Sequence, residues 1–464
     1  MLEVHTRMSL KSIAKAVAKA SKALAPEAIE VADRIWGYAE EPFKEFRSAA
    51  AVRESLAGHG FAVEQEFASI PTAFAMAAGR GKPRIGILAE YDALPDCGLR
   101  KGTWGHGCGH NLLGGGSLLA ALITAEVMRQ RRLRGSVVLY GCPAEETLAG
   151  KVYMARDGAF TGLAAALAWH PGAATAVSLG GGSAMDTYAF EFFGKTAHGA
   201  YAHGGRSALD AVELMDHSVN ILREHIPENV RIHSVITCGG GAPNVVPAYA
   251  RSWLYVRGVD REQVDAIAAR ILRCARGAAL ATETRCKVTL LTACYNRLPS
   301  EALADHLHAC LTTLGPPPFG AADRRALGRL KLTGKLSAEI GDIQRAAGRA
   351  SSDQDSVSWL APLGVLGVAC APKGVNGHHR DTTRLGREVF AHKGMVHAGE
   401  ALAVAALSLL GDAKLRGKVA REFRRRTRGF TYDPIVPAGQ LPPIRDRIPK
   451  EPPSAPGGLA ENRA

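Results

Sequence analysis

No run of about eighteen consecutive apolar residues occurs in this chain, which argues against a membrane span. Paired cysteine spacings are missing too. The nine cysteines are scattered, the usage of reduced thiols in a cytoplasm rather than of a disulfide framework. The first 36 residues space lysines through an alanine-rich helical pattern without a continuous apolar centre, so they do not read as a secretory signal. No internal repeat is present. Gly239-Gly-Gly241 is too short, and lacks the following helix, for a phosphate loop, and reads as a turn.

What is present is an ordinary globular composition. With 464 residues, 47% of them hydrophobic, the chain is long enough for two or three domains around a large core. The formal charge of +13 would attract anions. Much of it sits in one cluster, Arg421 to Arg428, which has neither regular aromatic interleaving nor a recognisable reading motif; it is expected to be a solvated helix end rather than a nucleic-acid surface.

Residues 10–58 carry apolar side chains at helical spacing, closed by Gly58 and Gly60. Arg84–Ala89, Ser136–Tyr140, Ala164–Trp169 and Val365–Cys370 are short apolar runs that read as buried strands. Helices are expected over Ser117–Arg132, from after Glu146 to about Asp157, and over His392–Leu410, the last taken as the final helix. Leu311–Leu336 reads as loop or loose helix. The alternation implies an α/β fold, with a largely parallel sheet flanked by helices. Between 184 and 298 the order becomes strand, helix, strand, strand, helix, strand, a compact α+β insert resembling a ferredoxin-like sandwich. The expected divisions are 1–183 and 299–430 for the main domain, 184–298 for the insert, and 431–464 for a proline-rich tail that wraps the surface or stays disordered.

Ligands of parallel sheets collect beyond the carboxyl ends of the strands. Glu90 and Asp92, Glu145 and Glu146, His170, and His378 all follow expected strands. Between the first two lies Gly107-Cys108-Gly109-His110-Asn111, where flanking glycines let a thiolate and an imidazole turn toward one ion. Thiolate, imidazole and carboxylate at converging strand ends are the donors of a zinc-type or manganese-type site.

In order, Glu90-Tyr-Asp92-Ala-Leu-Pro, His-Gly-Cys108-Gly-His110-Asn, Pro-Ala-Glu145-Glu146, His170-Pro, Gly194-Lys-Thr-Ala-His198, Asn244-Val-Val-Pro and Gly377-His378 resemble the motifs of the metallopeptidase-type amidohydrolases. That family includes aminoacylase, carboxypeptidase G and the indole-acetyl-amino-acid hydrolases. With His392-Lys-Gly-Met395 added, the chain is most similar to the aminobenzoyl-glutamate hydrolase subgroup. The resemblance spans roughly residues 20–445. It implies that Cys108, His110, Glu146, His170 and His378 hold one or two divalent ions, Zn2+ or Mn2+. His379 competes for the last position, and His378 is preferred because its glycine-flanked place matches the family's loop. Many relatives have a metal-binding histidine where this chain has Glu90, so Glu90 is left out of the ligand set; Asp92 is expected to orient a ligand from behind.

The resemblance further gives Glu145 the role of general base and His198 that of stabilising the tetrahedral oxyanion of a partner subunit. It places Asn244 and Arg257 of a lid and dimerisation insert on the substrate carboxylate. The implied reaction is hydrolysis of an N-acyl or N-aroyl amino acid, or a dipeptide, by a cytoplasmic homodimer acting on a small carboxylate-bearing amide, with no nucleic acid or membrane involved. The alternatives are hydrolytic deamination of an aromatic amine such as a substituted aminobenzoate, and a degenerate relative that binds a small molecule without turnover.

Overall fold

The computed structural model describes residues 9–444 apart from 68 and 333. The chain forms two compact units. One comprises the residues up to Gly182 together with Arg297–Pro434; the other comprises Ser183–Asn296 with the described residues from Ile435 onward. The remainder of the proline-rich tail, and the first eight residues of the lysine- and alanine-rich N-terminal stretch, lie outside the described residues.

In the first unit the helices are α1 (Leu10–Tyr38), α2 (Phe46–Gly58), α3 (His110–Arg131) and α4 (Gly150–Arg156), and in the second α5 (Ala208–Leu222) and α6 (Arg261–Ala281). The chain then returns to the first unit with α7 (Glu301–Leu314), α8 (Ala321–Arg329), α9 (Gln354–Val357), α10 (Arg380–Leu385), α11 (Val389–Gly411) and α12 (Ala413–Arg426). Strands β1 (Ala62–Glu66), β2 (Phe74–Arg80), β3 (Arg84–Glu90), β4 (Gly135–Cys142), β5 (Ala165–Gly172) and β6 (Ala176–Val177) precede β7 (Ala184–Phe193), β8 (Arg231–Cys238), β9 (Tyr249–Gly258), β10 (Arg285–Cys294) and β11 (Leu363–Ala369).

The first unit is built on a seven-stranded sheet in the order β1-β2-β4-β3-β5-β11-β6. Its four middle strands, β4, β3, β5 and β11, are mutually parallel. The additions at both edges are antiparallel, so the largely parallel expectation describes the centre of a mixed sheet. The middle strands are almost wholly buried, as strands covered on both faces must be.

Three long helices make much of this unit's core. The N-cap Ser9 Oγ accepts the Ser12 N–H at the start of α1, whose residues Ile13, Val17, Leu24, Ala28, Val31 and Ile35 bury one stripe. In α3, a Cβ on Gly115 would stand 2.7 Å from Ala32 of α1 and from Met395 of α11. One on Gly116 would strike the Trp169 ring at 2.6 Å. Glycine there lets the helices approach to a distance that any side chain would prevent. By length and composition alone α3 and α11 are apolar enough to cross a bilayer, although neither is an unbroken apolar run. In each, the most apolar stretch is mostly inside the core, 89% and 83% buried respectively.

The expected final helix is followed by another: α12, which carries the arginine cluster's Arg421, Arg424, Arg425 and Arg426. The proline-containing stretch 311–336 includes the end of α7 and all of α8. The second unit is a four-stranded antiparallel sheet, β10-β7-β9-β8, with α5 and α6 burying their apolar stripes against it, in the βαββαβ order of a ferredoxin-like sandwich.

Candidate metal centre

Because β4, β3, β5 and β11 run in parallel, their carboxyl ends lie along one edge of the sheet. Glu90 ends β3, Glu145 and Glu146 follow β4, His170 lies near the carboxyl end of β5, and the loop after β11 carries His378. Cys108 and His110 enter from the start of α3, where Gly109 adopts φ +79°, a left-handed conformation that glycine takes at little cost. His378 is itself left-handed, at φ +58°. Its N–H donates to the Gly107 carbonyl at 2.8 Å, which ties the last loop to the Cys108 turn.

Ligand atoms of Cys108, His110 and His170 lie within 4.8 Å of one another, as do those of Cys108, Glu146 and His378. Two triplets thus share Cys108. All five expected ligands are brought together, and His379 is not among them. Its Nδ1 instead accepts the Asp381 N–H at the start of α10. A third triplet, Glu90, His110 and Glu145, places the carboxylate left out of the expected set 3.6 Å from His110 Nε2.

The donors are oriented from behind. Asp92 Oδ1 lies 2.8 Å from His110 Nδ1, and Asp92 Oδ2 accepts the Glu146 N–H at 2.9 Å. His170 Nδ1 lies 2.8 Å from the Pro171 carbonyl, so Nδ1 carries a ring proton and Nε2 is turned to Cys108 Sγ at 3.3 Å. Ala144, left-handed at φ +57°, turns the chain after β4, and the Glu45 carboxylate holds this turn by accepting the Ala144 N–H.

Burial opposes a Cys108 thiolate, but the neighbouring His170 and His110 imidazoles outweigh it and hold the thiol well below its ordinary value. Burial also opposes charge on His170, yet Cys108 raises it to about 9. Glu145 is pushed up to about 8, by burial first and then by Glu90 and Asp353. Burial raises Glu146 to about 10 despite the pull of His110. His110 Nε2 and Glu146 Oε1 are buried without a hydrogen-bond partner among the described residues. Orphaned imidazole and carboxylate atoms beside a thiolate fit a divalent cation, which would satisfy both and restore charge to the carboxylates.

The other expected residues belong to the second unit. His198, exposed, caps a 3-10 turn by accepting the Ala200 N–H on Nδ1 at 3.1 Å, and the Asn244 carbonyl accepts the Gly199 N–H. Arg257 pairs with Met185 at the far end of β9 from this corner. At roughly 3.3 Å per residue, the strand separates Arg257 from Tyr249 by about 26 Å. Asn244 and Arg257 thus flank opposite ends of β9. Sequence reasoning missed Lys151, Asp353 and Ser352. A single lysine in the apolar stretch Gly150–Ala155 was the only signal for the first, and nothing local marked the other two.

Residues 183–283 match the family model described as the peptidase dimerisation domain. The chain is 33% identical to one subunit of the p-aminobenzoyl-glutamate hydrolase of Escherichia coli K12, over 89% of this chain and 95% of that protein. It belongs to the M20 peptidase family. Among the solved structures that share its fold are two that illustrate it. One is an aminobenzoyl-glutamate utilization protein from Klebsiella pneumoniae (TM-score 0.60, 20% identity, 84% of this chain and 98% of that one). The other is a dinuclear metal-binding M20 peptidase from Bacillus subtilis (TM-score 0.55, 17% identity, 83% and 99%). As an M20 member the chain is a metallo-hydrolase acting on amide or peptide bonds.

Proposed function

We propose that this M20 hydrolase cleaves the amide bond of an N-acyl or N-aroyl amino acid of the aminobenzoyl-glutamate kind. The observation that carries this reading is the pair of donor triplets sharing Cys108 at the carboxyl edge of the sheet, with Glu145 beside them. The name of the Escherichia coli relative supplies the substrate class. Cys108, His110, Glu146, His170 and His378 would hold one or two zinc or manganese ions, whose Lewis acidity would activate a water and polarise the amide carbonyl. Glu145 takes the proton of the attacking water and delivers it to the leaving amine. Its raised proton affinity suits a group that must both accept and return a proton.

The exposed His198 has Nδ1 engaged as an acceptor, so the neutral ring carries its proton on Nε2. It is a ready donor to the oxyanion of the tetrahedral intermediate. We assign it to a neighbouring chain's reaction, in a homodimer formed by the second unit. Strand β8 supports this, being the sheet's edge and leaving Val235 and Ile236 54% and 41% exposed, an apolar edge of the kind that pairs with a second copy. Arg257, whose Nε is buried without a partner among the described residues, is suited to holding the substrate carboxylate.

The test is a panel of aminobenzoyl-glutamate, N-acyl amino acids and dipeptides assayed with the manganese and zinc forms. Release of the free amino acid is expected. Ammonia as the sole product from an aminobenzoate, with no amide cleavage across the panel, would overturn it.

A further inference from the structure

Glu145 has two carboxylate oxygens and a soft terminal torsion, yet a proton carrier must present one of them to the water. In the structure the choice is made by a serine. Ser352 donates its hydroxyl to Glu145 Oε1 at 2.6 Å, while Ser352 Oγ accepts the Gln354 N–H at 3.3 Å. The serine proton is thereby directed at Glu145, and Oε2 is left facing His110 Nε2 at 4.0 Å.

Ser352 lies on an irregular loop, so something must fix the loop. Its neighbour Asp353 is fully buried, and both of its carboxylate oxygens are taken by one residue. Lys151 Nζ lies 2.6 Å from Asp353 Oδ1, and the Lys151 N–H donates to Oδ2 at 2.8 Å. The same ammonium, also fully buried, lies 2.7 Å from Glu90 Oε1. On the other side of the turn, Arg297 Nε donates to Asp355 Oδ1 at 2.6 Å. A buried cation shared by two carboxylates is costly to desolvate and holds its place only when its bonds are made, which gives the connection between α4 and this loop a fixed geometry.

We propose that Ser352 and Lys151 are positioning residues for Glu145: Lys151 anchors Asp353, and the loop so anchored lets Ser352 select the oxygen that faces the reacting water. This rests on Glu145 being the proton carrier. Glu90 balances the ammonium from the other side, which accounts for a carboxylate at that position without making it a ligand.

The experiment compares steady-state kinetics and bound metal in Ser352→Ala, Ser352→Thr, Lys151→Met and the double variant Ser352→Ala/Lys151→Met. Loss of a hydrogen bond to a charged group should lower kcat about tenfold in Ser352→Ala, with KM and metal content unchanged, and Ser352→Thr should recover most of it. Lys151→Met should lower kcat at least as far, and the double variant should be no slower than Lys151→Met, because both act through one path. If Lys151→Met does not fold, the alanine and threonine variants decide alone. Wild-type kcat in Ser352→Ala, or a raised KM at constant kcat, overturns the proposal. Glu145→Gln separates the two levels: a near-normal rate there overturns the base assignment and this inference with it, whereas an inactive Glu145→Gln beside a fully active Ser352→Ala overturns this inference alone.

Discussion

Asp92 fixes His110 from behind, carboxylate oxygen to Nδ1 at 2.8 Å with both side chains fully buried. The imidazole is thereby turned with Nε2 toward Cys108, His170 and the two glutamates. Substituting Asp92→Asn keeps the shape but removes the charge that orients and polarises the ring. Metal affinity should fall roughly tenfold to a hundredfold, read by chelator competition. His378→Ala should lose metal as well, and His379→Ala, whose ring caps α10, should keep it. Equal retention in His378→Ala and His379→Ala would mean that the loop after β11 supplies no ligand.

The proposed homodimer makes a separate prediction. Chains carrying Glu145→Gln and chains carrying His198→Ala should each be inactive, and mixing them should restore part of the activity, since one mixed dimer then holds an intact set. Ile236→Lys on the β8 edge should shift the protein toward monomer in sedimentation. Verified exchange of chains with no recovery would place His198 in its own chain's reaction, or in none.

His397 offers a test of stability that is independent of the centre. It is 4% exposed on α11, and its Nε2 has no partner among the described residues. Burial lowers its pKa to about 4. The folded state thus refuses a proton that the unfolded chain accepts below about 6.5. Its contribution is intact above that pH and is lost as pH falls toward 4, at up to about 1.4 kcal/mol per pH unit. In His397→Met the thermal midpoint should fall less steeply over this window. An unchanged slope would show that the acid sensitivity arises elsewhere.

The middle of the main sheet was legible because a strand buried on both faces must be a continuous apolar run, and Arg84–Glu90 and Gly135–Cys142 are such runs with acids at or just beyond their ends. The edges were not. Ala62–Glu66 is largely exposed and polar, and Ala176–Val177 is two residues long, so neither leaves a period to detect. His378 and His379 are adjacent in sequence, and only the glycine before His378 favoured it. The structure separates them: His378 is left-handed, bonded to Gly107 and grouped with Cys108 and Glu146, whereas His379 caps α10. Asn244 and Arg257 were assigned through the resemblance alone, and in the structure they flank opposite ends of β9. Lys151 and Asp353 meet across 202 residues, a pairing that no local pattern announces.

The first unit is made from two stretches of chain with residues 183–296 between them, which bears on how the protein is made. As the chain leaves the ribosome, β5 emerges with one of its two strand neighbours still unsynthesised, because β11 lies almost two hundred residues further on. The βαββαβ unit encoded in between contains all of its own sheet partners and can fold in the meantime. Until Leu363–Ala369 arrives, the outer edge of β5 is an open row of backbone donors and acceptors. The nascent chain therefore passes through a stage in which its later-completed sheet is the part most in need of a chaperone.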